Sequence, residues 1–281
     1  MPSHRFSLFG FLKLTRFWNL MIIAFAQYFT AMFLVGFAKV YDVKLLILVV
    51  STMIIAAAGY IINDYYDVKI DLINKPERVV IGKHITRRYA ILFHSVLSMV
   101  GIALGFLLQW KIGMINLLSV FLLWWYSNNL KRQPLIGNFM VALLTSLSIY
   151  LINTLYAVHQ PLIAIYSIFA FAMTLIREIV KDMEDLKGDN TFGCKTLPIV
   201  WGNHKTKFFI YFLMAALFGS VILINKVYRQ LPVFYFFVFL FVPLVFLLVR
   251  LVRADTKKDF YYISQWCKVI MLLGIISMVF I

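Results

Sequence analysis

Nine stretches of this chain stay apolar for about as long as a helix needs to cross a membrane. Their cores fall at 17-38, 44-62, 89-110, 112-129, 135-157, 160-180, 208-225, 232-250 and 261-281. A helix covers ~30 Å of hydrocarbon with ~20 apolar residues, and inside lipid its backbone must satisfy its own hydrogen bonds. The sequence therefore predicts an all-α, polytopic membrane protein, with nine transmembrane helices around a central cavity in a single domain spanning 1-281. Composition excludes a soluble alternative: 63% of residues are hydrophobic and 14% charged, where soluble domains carry roughly a quarter charged.

The net charge of +15 raises the question of a nucleic-acid partner, and its placement answers it. With alternate loops on one side, the N-terminal segment and the loops at 64-88, 128-134, 177-207 and 250-260 hold 21 Lys and Arg, against 5 in the opposite loops. This positive-inside asymmetry predicts a multi-pass protein of the cell membrane, N-terminus cytoplasmic, in contact with membrane lipids and not with nucleic acid. The first apolar run follows Arg5, Lys13 and Arg16 without a small-residue cleavage pattern, so it is expected as a retained span. Cys194 and Cys267 lack metal-ligand spacing, and no disulfide is expected.

Acidic residues are scarce and concentrated. Of 12 Asp and Glu, four lie between Asp64 and Glu77 and five between Glu178 and Asp189, each group at the end of an apolar run. The first run ends in Asn63-Asp64-Tyr65-Tyr66-Asp67-Val68-Lys69-Ile70-Asp71. On a continuing helix Asn63, Asp67 and Asp71 recur at i, i+4 and i+8, roughly 40° apart at each step, and share a face. Glu178, Asp182, Asp185 and Asp189 are spaced 4, 3 and 4, which places them within roughly 60° of arc on one helix. The motifs follow spans 2 and 6, four spans apart, which suggests two four-helix halves and an appended ninth span. Both fall on the cytoplasmic side.

Carboxylates and an amide at this spacing are hard oxygen ligands suited to Mg²⁺, an ion usually held by a few carboxylates together with substrate phosphates. Lys75, Arg78, Lys83, Arg87 and Arg88 follow the first motif, in a loop broken by Pro76 and Gly82 that can fold back over the acidic face. Metal ions between carboxylates and basic side chains suit an amphiphilic diphosphate, with its head at the mouth and its tail among the spans. Arg16 and Trp18 read most simply as a snorkelling side chain and an interfacial aromatic, and Trp124, Trp125 and Tyr126 as an aromatic belt. Asn19 and Asn138, just inside the spans, each need a polar partner. Gln265 and Lys268 either face the bundle or snorkel. A cation or lipid transporter is the weaker alternative, because both clusters lie on one side. A CDP-alcohol phosphotransferase lacks its D-G-x-x-A-R hallmark here.

Asn63-Asp64-x-x-Asp67-x-x-x-Asp71 followed by Asn74-Lys75-Pro76-x-Arg78, and Asp185-x-x-x-Asp189 followed by Gly193-x-Lys195-Thr196, resemble the two signatures of the UbiA superfamily of intramembrane prenyltransferases. The resemblance covers nearly the whole chain. It implies Mg²⁺-dependent transfer from a prenyl diphosphate to a lipid or aromatic acceptor. It further implies that Asn63, Asp67 and Asp71, with Asp64 beside them, serve one metal and Asp185 and Asp189 a second. Arg78, Lys131 and Lys195 would hold the donor diphosphate, with Asn19 and Arg177 also expected among the ligand-binding residues, and Asp182, Lys181 or Glu184 would take part in catalysis. The run from Arg177 to Asp189 is most similar to the branch that geranylgeranylates geranylgeranylglyceryl phosphate; the aromatic, quinone-precursor branch is the alternative. Arg78 is followed here by Val79-Val80-Ile81, where the family usually has Pro-Leu and a small residue.

Overall fold

The computed structural model describes residues 8–227 and 237–280, and every regular element among them is helical. A short helix α1 (Leu8–Leu14) leads into α2 (Phe17–Phe29), which continues as a wider turn through Val35. Then follow α3 (Val43–Asn74), α4 (Arg87–Leu108), α5 (Trp110–Asn128), α6 (Ile136–Tyr156) and α7 (Pro161–Glu184). The remainder comprises α8 (Leu186–Thr191), α9 (Leu197–Val227), α10 (Val242–Val252) and α11 (Lys257–Ile276).

Local chemistry sets the starts. The Asp42 carboxylate accepts the Lys44 N–H at 2.9 Å and opens α3, and Thr86 caps α4. Pro161 occupies the first turn of α7, where its missing N–H is harmless. Thr256 and Asp259 form a reciprocal capping box at α11. Gly202, at φ 77°, breaks α9 near its start.

Among the described residues, six helical stretches are long and apolar enough to cross a membrane: those beginning at Phe17, Val43, Arg87, Ile136, Pro161 and Lys257. The protein is therefore an all-α, multi-pass membrane protein. Helices α5, α9 and α10 stand where three further spans are expected. The expected span at 232-250 lies partly outside the described residues. The turn between α4 and α5 is Gln109, so Trp110, expected at the end of the span at 89-110, instead opens α5.

Helices α3 and α7, which carry the acidic motifs, are the most enclosed of the six, with 56% and 61% of their apolar windows buried. A core of Ile176, Ile179 and Val180 from α7 with Ile210, Leu247, Ile263 and Cys267 joins α7 to α9, α10 and α11. A second, with Leu48, Ile112, Ile152 and Ile163, joins α3, α5, α6 and α7. The third explains the unusual sequence after Arg78: Val80, Ile81 and Ile85 pack on Leu14, Ile61 and Ala90, so the loop after α3 is an apolar plug with Gly82 at its tip. Both cysteines are free and buried.

Close helix contacts rest on small residues and one polar knot. Asn116 Nδ2 donates to Ser51 Oγ at 2.8 Å and to the Gly101 carbonyl at 3.0 Å, and Ser51 Oγ donates to the same carbonyl at 2.8 Å. This ties α3, α4 and α5 together within apolar surroundings. A Cβ added at Gly105 would stand 2.3 Å from Asn116 Nδ2. Gly105→Ala should therefore destabilise the detergent-solubilised protein by about 1–3 kcal/mol, read as a fall of several degrees in its unfolding temperature, and an unchanged temperature would remove the knot from the account.

Candidate active site

One continuous helix carries both the wall of a cavity and the first acidic motif. At 1.5 Å per residue the 32 residues of α3 are about 48 Å long, well beyond ~30 Å of hydrocarbon, so its last turns project from the bundle. Thr52, Ile55, Ala56, Gly59, Tyr60 and Asn63 line the cavity from one face. The same face continues into Asp67 and Asp71.

The cavity encloses about 1390 Å³ of empty space, counting its open mouth. Its deeper wall is mainly apolar, with Ile22, Ile55, Val141, Leu144, Leu147 and Leu151 beside the small polar groups of Thr52, Asn116, Ser119, Thr145 and Ser148; its other end is polar and charged, with Arg16, Asn19, Asn63, Arg177, Glu178, Lys181 and Lys268. Tyr60 and Tyr126 are the aromatic side chains facing it among the described residues, so Tyr126 lines the cavity instead of joining the belt.

The second motif is built differently from the expected single arc. Helix α7 ends at Glu184, Asp185 turns the chain at φ −94°, ψ 8°, and Asp189 sits on the separate short helix α8. The cause is Asn74, at the end of α3. Its Nδ2 donates to the Asp185 carbonyl at 2.9 Å, and its Oδ1 accepts the Gly188 N–H at 2.8 Å. The fit excludes a larger residue at 188, where a Cβ would lie 2.4 Å from Asn74 Nδ2. One buried amide thus holds the two motifs together.

Nearly every motif carboxylate with a salt bridge draws its cation from another element. Arg16 Nη2 pairs with Asp64 at 2.7 Å, and the guanidinium Cζ lies 4.8 Å from the centre of the Tyr60 ring. Its backbone is left-handed at φ 52°, an uncommon conformation for a side-chain-bearing residue, and the side chain turns inward where the sequence suggested snorkelling. Lys131 Nζ pairs with Asp67 at 2.5 Å and reaches Asn63 Oδ1 at 3.4 Å. The turn that carries Lys131 packs on Gly137, where a Cβ would lie 2.8 Å from the Lys131 Cα. Lys75 Nζ bridges Asp185 at 2.7 Å and Glu184 at 3.0 Å. Burial opposes its charge, but Asp185 and Glu184 outweigh burial and hold the ammonium above the ordinary lysine range.

The amides find the partners the sequence demanded: Asn138 donates to Asp182 Oδ2 at 2.8 Å, and Asn19 accepts from Lys268 at 3.2 Å. Arg177 and Lys181 both pair with Glu178, at 2.5 Å and 2.9 Å. Glu184 faces away from the cavity toward Lys75, and Asp182 lies one turn beyond Glu178 on α7. Arg78 is half exposed beside Glu77, and Lys195 is exposed; neither lines the cavity. Tyr60 is a cavity residue that sequence patterns did not select, and Lys268 takes the bundle-facing of its two expected placements, because each depends on where a distant helix brings its neighbours.

Among the described residues no three His, Cys, Asp or Glu side chains converge as a ready-made metal centre. Magnesium needs no such cage, because it takes few protein ligands alongside waters and substrate phosphates. The donor set is all oxygen, and the buried Asp185 Oδ1 has no hydrogen-bond partner, which fits an oxygen-seeking cation.

The fold and cavity define a membrane-embedded enzyme that handles an amphiphilic substrate. The chain belongs to the UbiA prenyltransferase family, whose match covers residues 20–267, and it is a prenyltransferase of lipid biosynthesis. It is similar to the digeranylgeranylglyceryl phosphate synthase of Sulfurisphaera tokodaii, at 36% identity over 222 residues, covering 78% of this chain and 79% of that one. The synthase of the same name from Methanosphaera stadtmanae is 30% identical over 243 residues, covering 84% and 87%. In fold, the chain resembles a solved structure of digeranylgeranylglyceryl phosphate synthase, with TM-score 0.70 and 24% identity over 97% of both chains. It also resembles a UbiA homolog from Archaeoglobus fulgidus bound to DMAPP and Mg²⁺, with TM-score 0.68 and 17% identity over 97% of this chain and 100% of that one.

Asn74→Ala would leave the Asp185 carbonyl and the Gly188 N–H unsatisfied and loosen the second motif from the first. A cost of about 1–3 kcal/mol should appear as a five- to hundredfold loss of prenyl transfer with the helical circular dichroism unchanged. Wild-type turnover in this variant would show that the amide does not position the site.

Proposed function

We propose that the chain transfers a geranylgeranyl group from geranylgeranyl diphosphate to the free hydroxyl of geranylgeranylglyceryl phosphate and releases diphosphate. The observation that carries this reading is the cavity, apolar in depth and ringed at its open end by the acidic motifs and their cations. The names of the curated relatives support the glyceryl phosphate acceptor, and the DMAPP and Mg²⁺ in the Archaeoglobus homolog support a prenyl diphosphate donor and that metal. In this reading the chain crosses the cell membrane nine times, with its N-terminus and acidic motifs on the cytoplasmic side; the bias in Lys and Arg supports that orientation.

Asn63, Asp67 and Asp71, with Asp64 beside them, would hold one magnesium ion, and Asp185 and Asp189 a second. When bound, such ions stabilise negative charge on the departing diphosphate. The residues do the rest. Lys131 and Lys75 stand on the carboxylates where the diphosphate would lie, and Arg78 and Lys195, outside the cavity lining, would hold it from the solvent side. As the C1–O bond breaks, its electron pair leaves with the diphosphate and an allylic cation remains. The faces of Tyr60 and Tyr126 stabilise that cation, by up to ~2 kcal/mol when desolvated, and the apolar wall excludes the water that would quench it. The acceptor hydroxyl oxygen then forms the ether bond to C1 and gives up its proton. Asp182, bonded to Asn138, is the acceptor of that proton in this reading, because Lys181 is paired with Glu178 and Glu184 with Lys75.

Membranes containing the protein, given labelled geranylgeranyl diphosphate and Mg²⁺, should form the ether lipid from geranylgeranylglyceryl phosphate and nothing from 4-hydroxybenzoate, with product lost on adding EDTA. Aromatic product alone would overturn the acceptor. In the same assay Asp189→Ala should reduce turnover by about a hundredfold or more, and near-normal activity would remove the second metal site. Asp182→Asn should lower kcat with little change in either KM; an unaltered kcat would send the proton elsewhere.

A further inference from the structure

At the inner end of the second acidic motif the cavity wall holds an electrostatic feature of opposite sign. Arg177 and Lys181 on α7 and Lys268 on α11 all face the cavity. Glu178 is the carboxylate among them, and both its oxygens are occupied, Oε1 by Arg177 and Oε2 by Lys181. Lys268 binds a neutral acceptor, Asn19 Oδ1. Asp182 turns to Asn138, and Arg16 is matched by Asp64. Within the cavity lining three cations share one carboxylate. Although Asp182 and Asp189 also act on Lys181, the charges of Arg177 and Lys268 leave a positive surplus in a largely apolar chamber, a costly arrangement unless an anion completes it. Unused donors point the same way: Arg177 Nε is buried without a partner, and each ammonium retains protons beyond the bond described.

Depth separates this cluster from the acidic motifs. Lys181 precedes Asp185 by four residues on α7 and Arg177 by eight, roughly 6 Å and 12 Å along a helix axis, with Lys268 on the same cavity wall. An anion bound here lies further into the membrane than a diphosphate held at Asp67 and Asp185.

We infer that Arg177, Lys181 and Lys268 form a subsite for the phosphate monoester of the acceptor lipid, distinct from the place of the donor diphosphate. A phosphate monoester carries about −1.5 to −2 at neutral pH, which matches the surplus. In a glyceryl phosphate lipid the phosphate is borne on the carbon next to the one carrying the free hydroxyl, so holding it here aims that hydroxyl at the reacting C1. The cluster thereby selects a phosphorylated acceptor over an uncharged one. This inference rests on the glyceryl acceptor proposed above and adds the residues that recognise it.

The test compares Lys268→Gln, Lys268→Arg and Arg177→Gln with the wild type, using geranylgeranylglyceryl phosphate and its dephosphorylated analogue as acceptors. Lys268→Gln and Arg177→Gln should each raise KM for the phosphorylated acceptor by about ten- to a hundredfold. Both should leave KM for geranylgeranyl diphosphate within twofold and narrow the preference for the phosphorylated acceptor; Lys268→Arg should retain most of that preference. Unfolding temperatures measured on the same preparations separate these effects from misfolding. An equal rise in KM for the donor would assign the cluster to the diphosphate, and an unchanged acceptor preference in folded variants would reduce it to counter-charges for Glu178. Either result overturns the subsite while the acceptor reading stands. Failure of the wild type to use either glyceryl acceptor overturns both.

Discussion

A carboxylate near the apolar interior of a helical bundle is costly without a partner, and much of this architecture follows from the cations that meet five of them. Asp64, Asp67, Asp185 with Glu184, and Glu178 are each matched, and most of their cations come from chain segments far away in sequence. Arg16 comes from the junction before α2, Lys131 from the turn before α6, and Lys75 from the loop after α3. Removing one partner of such a buried pair typically costs ~3–5 kcal/mol. The connecting segments are thereby drawn inward over the end of the bundle. What a hydropathy profile shows as three short loops is a layer of cations fastened to two acidic helices.

That layer prepares the site for its chemistry. Lysines stand on the carboxylates that would carry metal, and a tyrosine lies under the arginine at the rim. Cations, oxygen ligands and aromatic faces therefore already surround the place where a bond to a diphosphate would break. Beyond it the wall turns apolar, and an amphiphile is oriented by this gradient before any specific contact is made.

The apolar runs and the acidic spacing made the helices and the two motifs readable in the sequence, because both are local properties. Asn63, Asp67 and Asp71 share a face as their spacing requires, and Asn19 and Asn138 have polar partners as amides in such positions must. Other features arise only from tertiary contact. Nothing in Glu184-Asp185-Leu186 marks the end of α7; the break belongs to Asn74, more than a hundred residues earlier. Arg16 reads as a snorkelling side chain until Asp64 is placed beside it. Lys268 reads as an isolated charge in a span until α2 and α7 are packed on α11. Val79-Val80-Ile81, a departure from the family pattern, makes sense once Leu14 and Ile61 are seen beneath it.

The face of α3 running from Thr52 to Asp71 carries the cavity wall and the first acidic motif in one unbroken helix, so its parts are locked in phase. A single residue gained or lost between Ala56 and Asp67 would rotate everything beyond it by ~100° and swing the carboxylates away from the chamber, although every side chain would survive. A gain of four residues would nearly restore the angle but lift the carboxylates by ~6 Å. Variation in the length of the bound tail must therefore be absorbed by side-chain volume along the chamber or by neighbouring helices, because the spacing between chamber and carboxylates is fixed by the pitch of one helix.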